Sequence, residues 1–326
     1  TVYYMTSPRS ATKMFTRLTA PVFASGCISS LTELVWEASD NINTAVYNPS
    51  YILYIDNIVA YEGVSTRYSL AGLDAGNYLV TVKAVGNNTQ YLDSEVSRSF
   101  SFTKLATPVM NIENNSYVWN SDATVNSYSL EIDGVRVSEN AVTAGTKYSY
   151  IPKYTSLGDH TVKLYAVGNG VNTVTSNACV YVQKTALLSA PEFTVTGERI
   201  GETEGGKVTV TLKNAVSNTS GYQYEVGGTS KYSDLTSFEK TLESDGRVTV
   251  RVKSVGGIID SDGVYYIDSN FSASQTVIFL SSVNVGTFSI NGNGQIVWSR
   301  VSDANGYDYQ IKLGDNGNWS EITHVG

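Results

Sequence analysis

One strand-like motif occurs three times in this chain: GNYLVTVKAVG at residues 76–86, GDHTVKLYAVG at 158–168 and GRVTVRVKSVG at 246–256. In the first copy Tyr78, Val80, Val82 and Ala84 take every second position, with Thr81 and Lys83 between them. Side chains alternate across a β-strand, so this period puts the apolar set on one sheet face and the polar set in water. His160, Val162, Leu164 and Ala166, then Val248, Val250, Val252 and Ser254, repeat the inward set. The copies begin at residues 76, 158 and 246, an interval that suits a small β-sandwich and exceeds the repeats that must stack to bury a core. Each copy is expected to belong to its own folded bead.

Other landmarks recur in fixed order. LTAP (18–21), LATP (105–108) and LSAP (188–191) open the units. Proline fixes φ and has no amide hydrogen, so it suits the first residue of an edge strand and a short, stiff junction. A strand with Trp36, Trp119 or Trp298 follows, Leu212 standing in that place in the third unit. The next strand alternates Tyr51, Leu53, Ile55; Tyr128, Leu130, Ile132; Tyr222, Tyr224, Val226; and Tyr307, Tyr309, Ile311. The segments YLDSEVSRS (91–99) and YIDSNFSAS (266–274), with a looser VTSNACV between them, read as the final strand of each unit.

The chain has 326 residues, 41% hydrophobic and 16% charged, which marks a globular protein too long for one ordinary core. Six prolines amid plentiful Gly, Asn, Ser, Thr, Tyr and Val favour strands joined by tight turns over long helices. The expected fold class is all-β, tandem antiparallel β-sandwiches in an elongated array. The expected segments are 1–17, the end of a preceding repeat plus linker; sandwiches at 18–104, 105–185 and 186–280; and an incomplete fourth at 281–326. TVYYM (1–5) reads as a last strand, like CVYVQ before LSAP. Two expectations follow: a window from a longer protein, or terminal half-domains completed by strands of another chain.

The order of opening proline, tryptophan strand, tyrosine strand and Gly-led strand ending in AVG resembles the fibronectin type III or immunoglobulin-like modules of bacterial extracellular or phage virion proteins. The resemblance covers nearly the whole chain and is specific for fold but weak for function, because this sandwich hosts unrelated activities. At the position of the family's corner tyrosine stand Tyr78, His160 and Val248, so the resemblance implies a corner hydrogen bond in the first unit alone.

A net charge of −8 repels phosphate backbones and anionic lipid headgroups, so nucleic acid is not an expected partner. No apolar run approaches the roughly 18 residues that span a bilayer, and membrane insertion of this segment is not expected. Cys27 and Cys179 fall in different units and read as free thiols.

No catalytic signature is present, and catalytic, cofactor-binding and metal residues are all read as none. His160 takes an inward strand position and reads as a core or corner histidine, while His324 lies in the incomplete unit. Asp56 and Asp133 suit hairpin turns beside Asn and Gly, and DSDG (260–263) lacks the later oxygen ligands of a calcium loop. The sequons at Asn87, Asn114, Asn218, Asn270 and Asn318 are expected by chance in so polar a chain, and no RGD is present. Binding in sandwiches favours loops. The insertion NINTAVYNPS (41–50) presents Tyr47 beside Asn48, and the extended hairpin GIIDSDGVYYI (257–267) carries Ile259, Tyr265 and Tyr266. These five are the candidate contacts to a cell-surface glycan or protein. The expected function is a non-catalytic extracellular or cell-surface spacer with loop-mediated adhesion. The alternatives are a virion fibre or decoration component and accessory modules of a secreted polysaccharide-degrading enzyme.

Overall fold

The computed structural model describes residues 3, 9, 11–141, 143, 145–200, 204–280, 287–301, 304 and 306–326. The TVYYM segment lies outside the described residues apart from Tyr3. All regular elements among the described residues are β-strands. The chain divides into two compact units: 1–188 with 218–220 and 255–268, and 189–217 with 221–254 and 269–326.

One strand plan is used three times. In the first module it runs Ile28–Ser29, Glu33–Val35, Ser50–Ile55, Ile58–Gly63, Arg67–Ser69, Gly76–Val85 and Phe100–Lys104. Counting these as strands one to seven, one sheet has the order 1-2-5 and the other 4-3-6-7. The second module repeats that order with strands from Asn111–Glu113 to Cys179–Leu187, and the third with strands from Phe193–Glu198 to Gln275–Phe279. The hairpin between strands three and four turns on Asp56 and Asn57 (φ 49° and 65°), on Asp133 and Gly134 (51° and 79°), and on Gly227 and Gly228 (58° and 77°). Two successive positive φ values define the turn that matches the twist of a two-residue hairpin, which explains Asp, Asn and Gly there.

Each pair of sheets encloses its own core. In the first module Leu34 and Trp36 of one sheet meet Tyr51, Leu53, Val80 and Val82 of the other. Leu53, Val80 and Val82 are 0% exposed, and full burial of each such side chain contributes about 1.5–3 kcal/mol. Tyr117, Trp119, Tyr128, Leu130 and Leu164 form the second core; Val208, Val210, Tyr222, Tyr224 and Val250 form the third. The indole nitrogens of Trp36 and Trp119 have no hydrogen-bond partner among the described residues, so packing holds these rings. Trp119 lies against Tyr128 and Tyr148 at 6.3 and 6.0 Å. In the fourth segment Trp298 meets Tyr307 at 5.4 Å and Tyr309 at 6.0 Å.

The serine-rich segments correct the sequence reading. Of residues 91–99 only Tyr91–Leu92 is a strand; the last strand of the first module is Phe100–Lys104. The intervening stretch docks on the Gly-led strand through its side chains. Ser94 Oγ accepts the Ala84 amide (2.8 Å) and Ser97 Oγ the Val82 amide (3.0 Å), while the amides of Ser94 and Ser97 donate back to the Ala84 and Val82 carbonyls. Ser176 repeats this on Ala166, and Ser269 and Ser272 on Ser254 and Val252. A hydroxyl thus replaces a ladder carbonyl, and the buried strand amides stay paired.

Candidate functional site

The recurring plan positions one feature that the strand periodicity does not announce. After each Gly-led strand the chain makes a short hairpin, and its return segment runs parallel to the linker that enters the same module. Tyr91–Leu92 pairs with Thr16–Arg17, Thr173–Val174 with Thr103 and Lys104, and Val264–Ile267 with Lys184 to Leu187. The leucine of each opening motif closes the ladder: the Leu18 amide donates to the Leu92 carbonyl (3.0 Å), Leu105 to Val174 (3.0 Å) and Leu188 to Ile267 (3.2 Å). All three leucines are buried, at 2%, 3% and 4% exposure.

The AVG glycine belongs to the same device. A Cβ at Gly86, Gly168 or Gly256 would lie 2.6–2.7 Å from a carbonyl carbon of the return segment (Leu92, Thr173 and Ile267), far inside contact distance. The glycine amide is also held: Gly86 donates to Asp93 Oδ1 (2.8 Å), Gly256 to Asp268 Oδ1 (2.9 Å) and Gly168 to Thr175 Oγ1 (3.2 Å). Glycine is required because backbone meets backbone here.

The loop residues read as presented contacts are mostly committed to this device. Tyr47 is half-buried: its hydroxyl donates to the Val85 carbonyl (2.7 Å) and its ring stacks on Tyr91 at 5.6 Å. This corrects the expectation of an exposed ring, because the insertion folds back over the hairpin. Asn48 is exposed. Tyr265 is 4% exposed and packs with Tyr154 (4.9 Å) and Ile267. Ile259 is half-buried against this cluster, its amide donating to Asn115 Oδ1 (2.8 Å). Tyr266 is half-buried and donates to Asp260 Oδ2 (3.1 Å). Asp260 Oδ1 in turn accepts the Asp262 and Val264 amides, the turn chemistry expected of DSDG.

Beneath the hairpin at 255–268 lies a buried polar chain. Tyr117 and Tyr154 share a hydrogen bond of 2.7 Å, Tyr117 donates to Gln183 Oε1 (2.9 Å), and Gln183 Nε2 donates to the Gly263 carbonyl (2.7 Å). Burial pushes the Tyr117 phenol well above its ordinary range and that of Tyr154 up to about 12, so both stay neutral donors. A cleft of about 630 Å³ beside them is lined by Ile151, Pro152, Tyr154, Tyr265 and Asp268. No His, Cys, Asp and Glu cluster suited to a metal occurs among the described residues, and both cysteines are free thiols.

His160, read as a core or corner histidine, supplies a corner bond in the second module, in addition to the one that the resemblance implied for the first. Its Nε2 faces the Ser156 carbonyl (3.1 Å), four residues back, as the Tyr78 hydroxyl donates to the Asp74 carbonyl (3.0 Å). Its Nδ1 faces Asp133 Oδ2 (2.7 Å). Both ring nitrogens therefore meet acceptors, which selects the doubly protonated imidazolium. Burial opposes that charge, but the bonds to Asp133 and Ser156 outweigh it and raise the pKa; the same bond holds Asp133 below the usual carboxylate range. A raised histidine pKa stabilises the fold fully below the unfolded value of about 6.5 and loses that contribution as pH rises through the folded value. The melting temperature of the compact unit that holds His160 is expected to fall as pH rises from about 6 to 8; the other histidine, His324, lies in the other unit. Asp133→Asn should flatten that slope; an unchanged slope in the variant contradicts the assignment.

Comparison with known proteins gives the fold's company. No protein-family model matches the chain, and no curated protein matches it. Among solved structures it is similar to the central fibronectin-III array of RIM-binding protein, at 14% identity over 80% of this chain and 96% of that one, with a TM-score of 0.20. It is also similar to the FN1–FN3 domains of chicken CNTN1 (11%, 80% and 99%, TM-score 0.27). Fibronectin(III)-like modules of Clostridium thermocellum CbhA match at 11% identity over 52% of this chain and 88% of that one, with a TM-score of 0.21. The 1-2-5 and 4-3-6-7 sheets, found three times over, are what make the chain a tandem array of fibronectin type III-like sandwiches.

Proposed function

We propose that this chain is a non-catalytic spacer at the cell surface or outside the cell, whose task is to hold its first two modules at a set orientation. The observation that carries this reading is the linker ladder, repeated at Leu18, Leu105 and Leu188. A flexible tether needs polar, solvated linkers. Here the linker amides are bonded to the hairpin of the module that follows, and the linker leucines are buried. Ion pairs such as Arg17 with Glu95 and Arg67 with Glu33 lie on the surface and add little to stability. Loop contacts with a surface glycan or protein through Asn48 and Tyr266 belong to the same proposal, and multiply when copies are displayed together.

Two measurements test it. Spin labels carried by non-natural amino acids at exposed Val64 and Val135 report the junction between the first two modules. A narrow, single-peaked distance distribution is expected, and a broad one in the native chain contradicts the spacer reading. Antibodies against the chain should label intact cells or particles of its source; labelling only after lysis contradicts the location.

A further inference from the structure

The seventh strand of the first module ends on a lysine that the fold does not use. Phe100, Phe102 and Lys104 alternate inward, and Lys104 is 2% exposed. Its backbone pairs with Gly76 and with Val174. The residues in the same register of the other modules are satisfied: Thr185, opposite Gly158, donates to the Ser156 and Gly158 carbonyls, and Phe279, opposite Gly246, packs in the third core. The Lys104 ammonium has neither a carboxylate nor a hydrogen-bond acceptor among the described residues, yet it is not one of the buried polar atoms sealed from solvent. Burying an unpaired ammonium is costly, and desolvation lowers its pKa. Neither the core nor the linker ladder offsets that cost.

Lys104 lines a cleft of about 610 Å³, whose lining also includes the apolar Pro108, Val109 and Val125 and the aromatic Tyr128, within the ~300–1,000 Å³ usual for small-ligand sites. Asn77, Thr107, Asn120, Ser121 and Asp122 line it. Asn77 Oδ1 accepts from Thr103 (2.7 Å), leaving the amide hydrogens to donate. Asp122 Oδ1 holds the Thr124 amide and hydroxyl (2.8 Å each), while its second oxygen carries no bond among the described residues. Beside one cation the cleft thus sets amide and hydroxyl donors and one free carboxylate oxygen. That oxygen can accept from a hydroxyl.

We propose that this cleft is a binding site for an acidic sugar, whose carboxylate pairs with Lys104 and whose hydroxyls meet Asn77, Asn120, Ser121 and Asp122. The site is independent of the spacer reading: either stands if the other fails.

The test is an NMR titration of the full chain with glucuronate, glucose and acetate, following the amides of Asn77 and Ser121, in the native protein and in Lys104→Met. Glucuronate is expected to bind about tenfold or more tightly than glucose or acetate, as one charge-assisted hydrogen bond allows. In Lys104→Met glucuronate and glucose should become equal, and the melting temperature should hold or rise because a buried unpaired ammonium has gone. Absent cleft shifts, acetate binding as well as glucuronate, or glucuronate binding equally to the variant would each overturn the proposal. So would a lower melting temperature in Lys104→Met, since it would reveal a structural partner for the ammonium.

Discussion

Gly168→Ala is expected to destabilise the first unit by about 1–3 kcal/mol, the range for forcing an atom into a packed site. The added methyl would lie 2.7 Å from the Thr173 carbonyl carbon and 3.0 Å from that of Val174, both main-chain atoms that cannot swing aside. Relief requires the return segment at Thr173–Val174 to lift off, which breaks the bonds from the Thr103 amide to Asn172 and from Leu105 to Val174. The variant should therefore melt earlier and also broaden the label distances across the junction. Gly72→Ala is the control, since a methyl at that position would meet nothing within 4 Å and the backbone there is unstrained; its change should stay within about 0.5 kcal/mol. Equal stability of the two variants in thermal melts contradicts the role given to the AVG glycine.

The paired substitution Ser94→Ala with Ser97→Ala should cost about 3 kcal/mol, because each change leaves a buried strand amide without an acceptor at roughly 1–3 kcal/mol. The amides concerned are those of Ala84 and Val82, inside a strand whose Val80 and Val82 side chains are fully buried. Each hydroxyl also donates onward, Ser94 to the Glu95 carbonyl (2.7 Å) and Ser97 to that of Arg98 (2.9 Å). The docked segment leads into the last strand, Phe100–Lys104, so its release should loosen that strand's pairing with the Gly-led strand. Ser99→Ala, on the exposed side of the same segment, should be neutral. Denaturant unfolding of the three proteins decides it, and a paired variant as stable as Ser99→Ala would show that the serines are replaceable by packing.

What the sequence reveals and what it hides divide along a physical line. The Tyr51, Leu53 and Ile55 trio and the Gly-led strands are legible because a half-buried strand imprints a period of two on its residues. The serine segment misleads because its Tyr, Val and Phe look strand-like, whereas its bonds run from hydroxyls rather than a backbone ladder. The linker pairing is hidden since two to four residues of parallel ladder leave no period to detect; its trace is the AVG glycine, visible as a repeat but reading as the end of a strand. Tyr47 shows the same limit for sites: nothing local tells a loop tyrosine that presents its ring from one that stacks on Tyr91 and donates to Val85. His160 is legible as an inward residue, but its corner bond depends on Ser156 and Asp133 arriving from two other turns.

Native-state hydrogen exchange of the Leu18, Leu105 and Leu188 amides tests the central claim most directly. If each linker is a strand held by the following hairpin, all three should exchange orders of magnitude more slowly than an unstructured peptide, opening with the hairpin rather than by local fraying. Exchange at free-peptide rates at these three positions, with the module cores still protected, would show that the linkers are loose and that the account is wrong.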